Sequence, residues 1–261
     1  MTAPSIPSPA ELPDLTDRLV VVTGASRGIG YFVARQAASA GAHVVAVGRT
    51  VGGLEELDDD IKRDGGGGAT LVPLDLTDGP GVDRLGEAIA DRWGRCDALI
   101  AGAATLGVPA PLGHVEAKSF EAVMALNVTA TWRIARTLDP LLTRTPDSRA
   151  LLLTCEAAGE APSYLAPYAA SKAAVEALAR VWAAESAATS LRVNAVSPGA
   201  TRTQLRAKLM PGEDRAGLPE PTEVARAIVA LLDPAIDHNG RLYDARAGSW
   251  LAFGEPRSLE G

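Results

Sequence analysis

The residues best suited to chemistry are a tyrosine and a lysine, Tyr168 and Lys172, separated by three small residues. Positions four apart on a helix share one face, so these two side chains are expected to be neighbours. A phenol with an ordinary pKa of about 10 is a poor acid or base at neutral pH, and a nearby ammonium lowers that pKa. Such a tyrosine can give a proton to a carbonyl oxygen as hydride reaches the carbon, or act in reverse. The alternative is a surface pair on an amphipathic helix.

A glycine-rich turn near the start of the chain could hold a pyrophosphate. Gly24, Gly28 and Gly30 have the spacing G-x-x-x-G-x-G and follow an apolar run at residues 19–22. Glycine lets the backbone turn tightly and approach a phosphate, which then lies at the N-terminus of the next helix. The same pattern also suits a tight strand-to-helix turn without a ligand. Its place after the first apolar run favours a dinucleotide.

The end of the second apolar run selects between dinucleotides. A carboxylate there would accept from a ribose 2′-hydroxyl and repel a 2′-phosphate. The chain has Arg49 and Thr50 instead, and Arg27 lies inside the glycine turn. Guanidinium groups bind phosphate well, although most arginines are simply solvated. These residues predict NADP(H) rather than NAD(H). Asp75, after the third apolar run, is a candidate contact to the adenine amino group, with a helix N-cap as the alternative.

The elements that position these residues are short apolar strands alternating with helical patterns. Strands are predicted at residues 19–22, 43–47, 70–74, 98–101, 150–154, 192–196 and 240–243. Two long helices are predicted over roughly 115–138 and 167–188. Alternation of this kind predicts a single α/β domain, a parallel sheet with helices on both faces. Ligands of such sheets bind beyond the carboxyl ends of the strands, where all these motifs fall.

Composition narrows the class of protein further. The chain has 261 residues, 47% of them hydrophobic, which suits one substantial core. Its net charge of −7 disfavours binding to nucleic acid or anionic membranes. Its two cysteines, Cys96 and Cys155, lie in or beside apolar runs, so no disulfide or metal site is expected. Without a membrane-length apolar run or a secretion signal, we expect a cytoplasmic protein that acts on a small molecule.

Two boundaries are predicted within the chain. Residues 1–15 are rich in proline and are expected to form a flexible arm before a single domain over residues 16–261. Residues 200–221 are expected to form a lid over the substrate. The lid carries Leu205 and Leu209 between charged residues, which favours an apolar or mixed pocket. An ordinary amphipathic surface helix is the alternative.

Together, these motifs resemble the short-chain dehydrogenase/reductase family across about residues 17–245. The resemblance rests on the glycine turn, Asp75, Asn127 in an apolar helix, the Tyr168/Lys172 pair, and Pro198 with the glycine after it. It implies a Rossmann-like doubly wound fold, a nicotinamide cofactor, and an Asn/Ser/Tyr/Lys tetrad. It also implies that Lys172 holds the nicotinamide ribose and that two long helices form a homodimer or homotetramer. Asn127 is then part of a proton relay rather than only a satisfied buried amide.

The motifs and the resemblance together define two sets of site residues. The catalytic set is Tyr168, Lys172, Asn127 and Cys155. The cofactor set is Gly24, Ser26, Arg27, Gly28, Ile29, Gly30, Arg49, Thr50, Asp75, Leu76, Ala101, Gly102, Ala103, Tyr168, Lys172, Pro198, Gly199, Ala200 and Thr201.

Three departures from the family pattern qualify this prediction. The family has a serine about a dozen residues before the tyrosine, whereas alignment here puts Cys155 or Glu156 at that position. A thiol is a weak hydrogen-bond donor, and losing one such donor costs about 10²-fold in rate. The usual Asn-Asn-Ala-Gly segment is replaced by residues 101–104, and an Asp-Gly-Gly ending is absent.

Three functions follow from these observations. The first is an NADPH-dependent reductase that acts on a ketone or an aldehyde, or a dehydrogenase that oxidises the corresponding alcohol. Its substrate would be small and either apolar or polyketide-like. The second is a non-redox lyase, cyclase or dehydratase on the same fold, with Glu156 or Cys155 in an acid–base role. The third is an NADPH-binding sensor with impaired catalysis. The retained Tyr168 and Lys172 favour the first.

Overall fold

A mostly parallel eight-stranded sheet forms the centre of the molecule in the computed structural model, which describes residues 11–253. The strands are β1 Leu19–Thr23, β2 His43–Gly48, β3 Ala69–Pro73, β4 Ala98–Ala101, β5 Arg149–Leu153, β6 Arg192–Ser197, β7 Leu242–Asp244 and β8 Ser249–Leu251. Their order is β3-β2-β1-β4-β5-β6-β7-β8, and β7–β8 is the antiparallel pair. The strand order reverses between β1 and β4, which is where this sheet type binds ligands.

Helices cover both faces of this sheet. They are α1 Gly28–Ser39, α2 Val51–Arg63, α3 Gly79–Trp93, α4 Ala117–Met124, α5 Ala130–Arg144, α6 Ala157–Glu160, α7 Ala166–Glu185, α8 Gln204–Leu209 and α9 Pro221–Ala230. Alternate residues of each strand pack against opposite helix layers: Val20 and Val22 share a core with α1 and α9, whereas Val21 packs with α3, α5 and α7. This confirms the predicted single-domain α/β fold with a doubly wound sheet. None of the helices within residues 11–253 is both long and apolar enough to cross a membrane.

The long helix predicted over 115–138 has an interruption that the sequence did not reveal. It consists of α4, a π-helical turn at Ala125–Thr129, and α5, which continues to Arg144. The π turn carries the buried Asn127. A π turn inserts an extra residue into a helix and is frequent at functional sites. Here it sets the direction in which the Asn127 side chain leaves the helix.

The two ends of the described chain differ from expectation. Leu15 is fully buried and donates its N–H to the Ala40 carbonyl at 2.8 Å, so it belongs to the packed domain rather than to a flexible arm. Residues 1–10 of the predicted arm lie outside the described residues. At the other end, β7 is followed by β8, which pairs with it through a short hairpin and places Trp250 against Tyr243. The chain beyond residue 253 lies outside the described residues.

Candidate active site

The predicted motifs all lie at the carboxyl edge of the sheet, although they are far apart in sequence. The glycine turn follows β1, Arg49 follows β2, Asp75 follows β3, Gly102 follows β4 and Pro198 follows β6. Parallel strands bring their carboxyl ends to one edge, so this convergence is a direct result of the topology. Further predicted cofactor residues at the same edge are Ser26, Ile29, Thr50, Leu76, Ala101, Ala200 and Thr201. Leu76 and Ala101 are buried, so they form the inner wall of this edge.

The glycine turn has geometry that other residues would not tolerate. Gly24 has a φ of +74°, and a Cβ there would lie 2.9 Å from the Cα of Ala103. A Cβ on Gly30 would lie 2.5 Å from the Gly24 carbonyl oxygen. Gly28 has a φ of +61° at the start of α1, but its Cβ position is nearly open. Gly24 and Gly30 are therefore needed because the backbone packs too closely for a side chain. Gly28 is needed because its backbone is left-handed.

The start of α1 fits a phosphate group. Arg27 is the N-cap residue, and no side chain caps the first turn through a hydrogen bond. The first N–H groups of a helix have no partner within it, and the helix dipole makes that end positive. Gly28 adds no side chain above these donors, and the Arg27 side chain is exposed beside them. A pyrophosphate anion would satisfy these groups.

The residues predicted to recognise the adenosine part are close to each other. Arg49 Nη1 lies 3.7 Å from Asp75 Oδ2, and both side chains are exposed. Asp75 Oδ1 accepts hydrogen bonds from the Thr77 backbone N–H and hydroxyl, and these bonds hold the pKa of Asp75 below its usual range. The N-cap alternative for Asp75 is wrong, because α3 begins at Gly79 and its N-cap is Asp78. Arg49 and Asp75 therefore both remain accessible to a ligand.

The altered segment after β4 is held by a neighbouring strand. The Thr23 hydroxyl oxygen accepts hydrogen bonds from the backbone N–H of Gly102 at 3.1 Å and of Ala103 at 3.3 Å. The amide side chains usual in the family are absent from residues 101–104. The backbone of the segment is nevertheless fixed against the glycine turn, as a cofactor wall requires.

Tyr168 and Lys172 share one buried face of α7. Tyr168 is 6% exposed and Lys172 is 4% exposed, and the ammonium lies 5.8 Å from the centre of the phenol ring. Lys172 Nζ donates to the Leu153 carbonyl at 2.8 Å, and burial lowers the pKa of the lysine. Burial, together with the proximity of Cys155, raises the pKa of Tyr168. The expectation that Lys172 would lower this pKa is therefore wrong in this structure, because desolvation is the larger effect.

The structure distinguishes between the two candidates for the serine position. Cys155 packs against the apolar cluster that contains Tyr168, and its proximity contributes to the raised pKa of that tyrosine. Glu156 is directed elsewhere: its Oε1 lies 3.6 Å from the point where a Cβ on Gly199 would stand. Of the two, Cys155 is the residue that packs against the Tyr168 cluster. Glu156 instead lies beside the turn that follows β6.

Asn127 is a fully bonded amide at the centre of the site. Its Oδ1 accepts from the Thr105 backbone N–H at 2.8 Å, and its Nδ2 donates to the Thr105 carbonyl at 2.9 Å. The same Nδ2 donates to the Ser171 hydroxyl at 3.0 Å, which in turn donates to the Tyr168 carbonyl. The side chain therefore ties the π turn to the loop after β4 and to α7. Its part in a proton relay stays a prediction.

The predicted lid lies against the tyrosine. Leu205 and Leu209 of α8 pack on an apolar cluster around Tyr168. The buried members of that cluster are Leu106, Ala157, Leu165, Tyr168 and Ala169. Within the lid, Arg206 forms a bidentate ion pair with Glu213, with distances of 2.6 and 2.7 Å. The predicted lid therefore packs apolar side chains around Tyr168, and an ion pair joins two of its charged residues.

Sequence reasoning missed two polar residues beside the site, Thr154 and Glu176. The Thr154 hydroxyl donates to Glu176 Oε1 at 2.8 Å. The available signal was spacing, since Glu176 continues the four-residue repeat begun by Tyr168 and Lys172. That spacing indicated no role until the partner, Thr154 just after β5, was known.

Comparison with known proteins agrees with this geometry. Residues 18–214 match the family model of the short chain dehydrogenases. The uncharacterized oxidoreductase YciK of Escherichia coli (strain K12) is 33% identical, covering 90% of this chain and 94% of its own. The cis-4-hydroxycyclohexanecarboxylate dehydrogenase of Sinomonas cyclohexanicum is 34% identical over 84% of this chain and 90% of its own.

A solved structure extends the comparison to the cofactor. A short chain dehydrogenase from Escherichia coli CFT073, in complex with NADPH, is 32% identical with a TM-score of 0.84. The match covers 89% of this chain and 98% of that one. Sequence and fold therefore agree over most of the length of both proteins, and this chain belongs to the short-chain dehydrogenase/reductase family of oxidoreductases.

Proposed function

We propose that this protein is an NADP(H)-dependent oxidoreductase that interconverts a carbonyl compound and its alcohol. The observation that carries the proposal is geometric: the Tyr168 phenol is buried on the face of α7 that it shares with Lys172, 5.8 Å from the ammonium, and Cys155 packs beside it. Burial also raises the pKa of Tyr168, so its phenol is protonated at neutral pH. A protonated phenol at neutral pH is the form that can donate to a carbonyl oxygen. The reduction direction therefore fits the resting state of the site.

NADP(H) fits the cofactor region better than NAD(H). The uncapped first turn of α1 suits the pyrophosphate, and the exposed Arg27 and Arg49 suit a 2′-phosphate. No carboxylate follows β2 to select a free 2′-hydroxyl. The E. coli CFT073 relative in complex with NADPH supports the same choice. When bound, NADPH supplies the hydride.

The protein's own residues then handle the proton. Tyr168 gives its hydroxyl proton to the carbonyl oxygen in reduction, and takes it back from the alcohol in oxidation. The buried Lys172 ammonium stabilises the phenolate that remains, and its other N–H donors are available to the nicotinamide ribose. Asn127 keeps the loop after β4 and the start of α7 in place. The apolar walls exclude water, which strengthens these interactions.

Cys155 occupies, in this proposal, the position of the family's serine. Cys155 packs against the cluster that contains Tyr168, which suits a residue that helps to orient the substrate carbonyl. A thiol donates a weaker hydrogen bond than a hydroxyl. We therefore expect the substrate oxygen to be held chiefly by Tyr168, with Cys155 as a secondary contact.

The substrate class follows from the walls of the cleft. Leu106, Leu165, Leu205 and Leu209 provide an apolar surface around Tyr168. A small ketone on an apolar or polyketide-like skeleton fits that surface, as does the matching secondary alcohol. The Sinomonas relative, named for a ring alcohol, supports this choice.

We further propose that the protein acts in the cytoplasm as a homodimer or homotetramer. The helices expected at the interface expose large apolar side chains: Trp132 of α5 is 44% exposed, Phe120 of α4 is 39% exposed and Val181 of α7 is 56% exposed. Partner burial is the usual reason for apolar side chains on neighbouring helices to stay exposed. Light scattering after size-exclusion chromatography tests the oligomeric state. A wild-type protein that is both monomeric and catalytically active would contradict the proposal.

The proposed function is tested in two steps. The purified protein is first titrated calorimetrically with NADPH and NADH, and micromolar NADPH binding with much weaker NADH binding is expected. NADPH oxidation is then followed with cyclohexanone, 4-oxocyclohexanecarboxylate and 1-decalone, using Tyr168→Phe as the control. Turnover by the wild type and its loss in Tyr168→Phe support the proposal. Equal rates in both proteins, or product without NADPH oxidation, would refute it.

A further inference from the structure

One face of α7 meets the end of β5 through two hydrogen bonds, from Lys172 to the Leu153 carbonyl and from Thr154 to Glu176, and through the packing of Cys155 against the Tyr168 cluster. The helix contributes Tyr168, Lys172 and Glu176, which are four residues apart and share a face. The strand end contributes the three consecutive residues 153–155. The first two helix residues are the proposed proton donor and its cationic partner. Glu176 has no part in the proposed reaction, so its contact requires another explanation.

The second of these hydrogen bonds joins Glu176 to Thr154. The buried Thr154 hydroxyl donates to Glu176 Oε1 at 2.8 Å. Partial burial raises the pKa of Glu176, although the Thr154 hydrogen bond and the charge of Arg180 act in the opposite direction. Desolvating a carboxylate is unfavourable unless it gains a partner. The hydrogen bond from the Thr154 hydroxyl compensates the cost of desolvating the Glu176 carboxylate.

Thr154 is the central residue of the strand end. Its backbone N–H donates to the Val196 carbonyl at 2.9 Å, which fixes it to β6 and hence to the sheet. Its side chain fixes it to α7 instead. The residue before it, Leu153, holds the Lys172 ammonium, and the residue after it, Cys155, meets Tyr168. The Thr154 side chain therefore controls the spacing between helix and strand at the point where proton transfer takes place.

We propose that Glu176 is a positioning residue, which acts through Thr154 to hold residues 153–155 in place against the Tyr168 face of α7. The inference rests on the proposed proton-transfer function. A misplacement of about 1 Å between reacting groups costs about 10²-fold in rate. Loss of this bond is therefore expected to lower kcat by about tenfold or more. NADPH affinity and substrate KM should hardly change, because the phosphate-binding turn and the apolar walls are untouched.

The test compares four variants with the wild type, using the best carbonyl of the panel. Glu176→Ala and Thr154→Val, which is nearly isosteric, should each lower kcat by about tenfold or more, with KM and the NADPH Kd within about twofold. Glu176→Gln should recover most of the rate, because its amide oxygen still accepts from Thr154. The double variant should be no slower than Thr154→Val alone, because Thr154→Val already removes both contacts of the hydroxyl, with Glu176 and with the Lys172 carbonyl at 3.4 Å. Glu185→Ala, an exposed glutamate on the same helix, is the matched control and should behave like the wild type.

The outcomes separate this inference from the proposed function. A Glu176→Gln variant as slow as Glu176→Ala, or additive losses in the double variant, would overturn the positioning role. A Thr154→Val variant with the kcat of the wild type would also overturn the positioning role. If Glu176→Ala does not fold, Thr154→Val alone provides the test. Activity that survives Tyr168→Phe overturns the proposed function itself. Loss in Tyr168→Phe with full activity in Glu176→Ala leaves the function standing and removes only the positioning role.

Discussion

Replacing Arg49 with alanine is expected to weaken NADPH binding and leave NADH binding unchanged. The Arg49 side chain is 59% exposed, and its Nη1 lies 3.7 Å from Asp75 Oδ2. An exposed ion pair of this kind contributes about 0–1 kcal/mol, so its loss changes stability little. A charge-assisted hydrogen bond to a 2′-phosphate contributes about 1.5–3 kcal/mol. Subtracting about 0.5 kcal/mol, the middle of the ion-pair range, leaves about 1–2.5 kcal/mol, which is an increase in the NADPH Kd of about 5- to 70-fold.

The assay is calorimetric titration of both dinucleotides at two salt concentrations. The difference between wild type and Arg49→Ala should shrink at high salt, because exposed charges are screened. Arg63→Ala serves as the matched control, since Arg63 of α2 is also exposed and paired with a carboxylate, that of Asp60. Equal weakening of NADPH and NADH would refute the reasoning, because it would mean that Arg49 supports the fold rather than the phosphate. An unchanged NADPH Kd would also refute it.

Three further predictions concern the glycine turn, the thiol and the tyrosine. Gly30→Ala should abolish measurable NADPH binding in calorimetry, because its Cβ would lie 2.5 Å from the Gly24 carbonyl oxygen; an unchanged Kd would contradict this geometry. Cys155→Ser should raise kcat by about tenfold, since a hydroxyl donates more strongly than a thiol; steady-state kinetics that show a slower enzyme would count against the Cys155 role. The raised pKa of Tyr168 keeps its phenol protonated through neutral pH, so the reduction rate should stay level from about pH 6 to pH 8. Alcohol oxidation needs the phenolate, so its rate should rise with pH. A reduction rate that falls over this range would show that the pKa of Tyr168 is lower.

Much of the fold could be predicted because strands and helices leave local patterns. The apolar runs predicted the first six strands to within one or two residues, since buried parallel strands are nearly continuous in apolar residues. The π turn at Ala125–Thr129 could not be predicted, because one extra residue in a helix hardly disturbs apolar spacing. The hairpin strand β8 was also missed, since its three residues depend on pairing with β7. Leu15 was assigned to the arm because its burial depends on a distant helix end.

The site could be predicted to the extent that its residues follow strand ends. Arg49 and Asp75 lie where the alternation of strands and helices placed them, and the structure brings them together. The direction of the Tyr168 pKa shift was predicted wrongly, because spacing reveals a neighbouring lysine but not the loss of water around the phenol. The N-cap role considered for Asp75 was wrong because α3 begins at Gly79, four residues after Asp75, and its N-cap is Asp78.

The sequence by itself determined the sheet, the edge at which a ligand is expected, and the residue types at that edge. These depend on short-range periodicity and on the rule that ligands bind beyond the carboxyl ends of parallel strands. Only the tertiary structure decided that Cys155 rather than Glu156 meets Tyr168, and that Thr154 bonds to Glu176. Those contacts depend on the rotation of α7 against β5 and on burial. Both result from the packing of elements distant in sequence, which spacing along the chain does not encode.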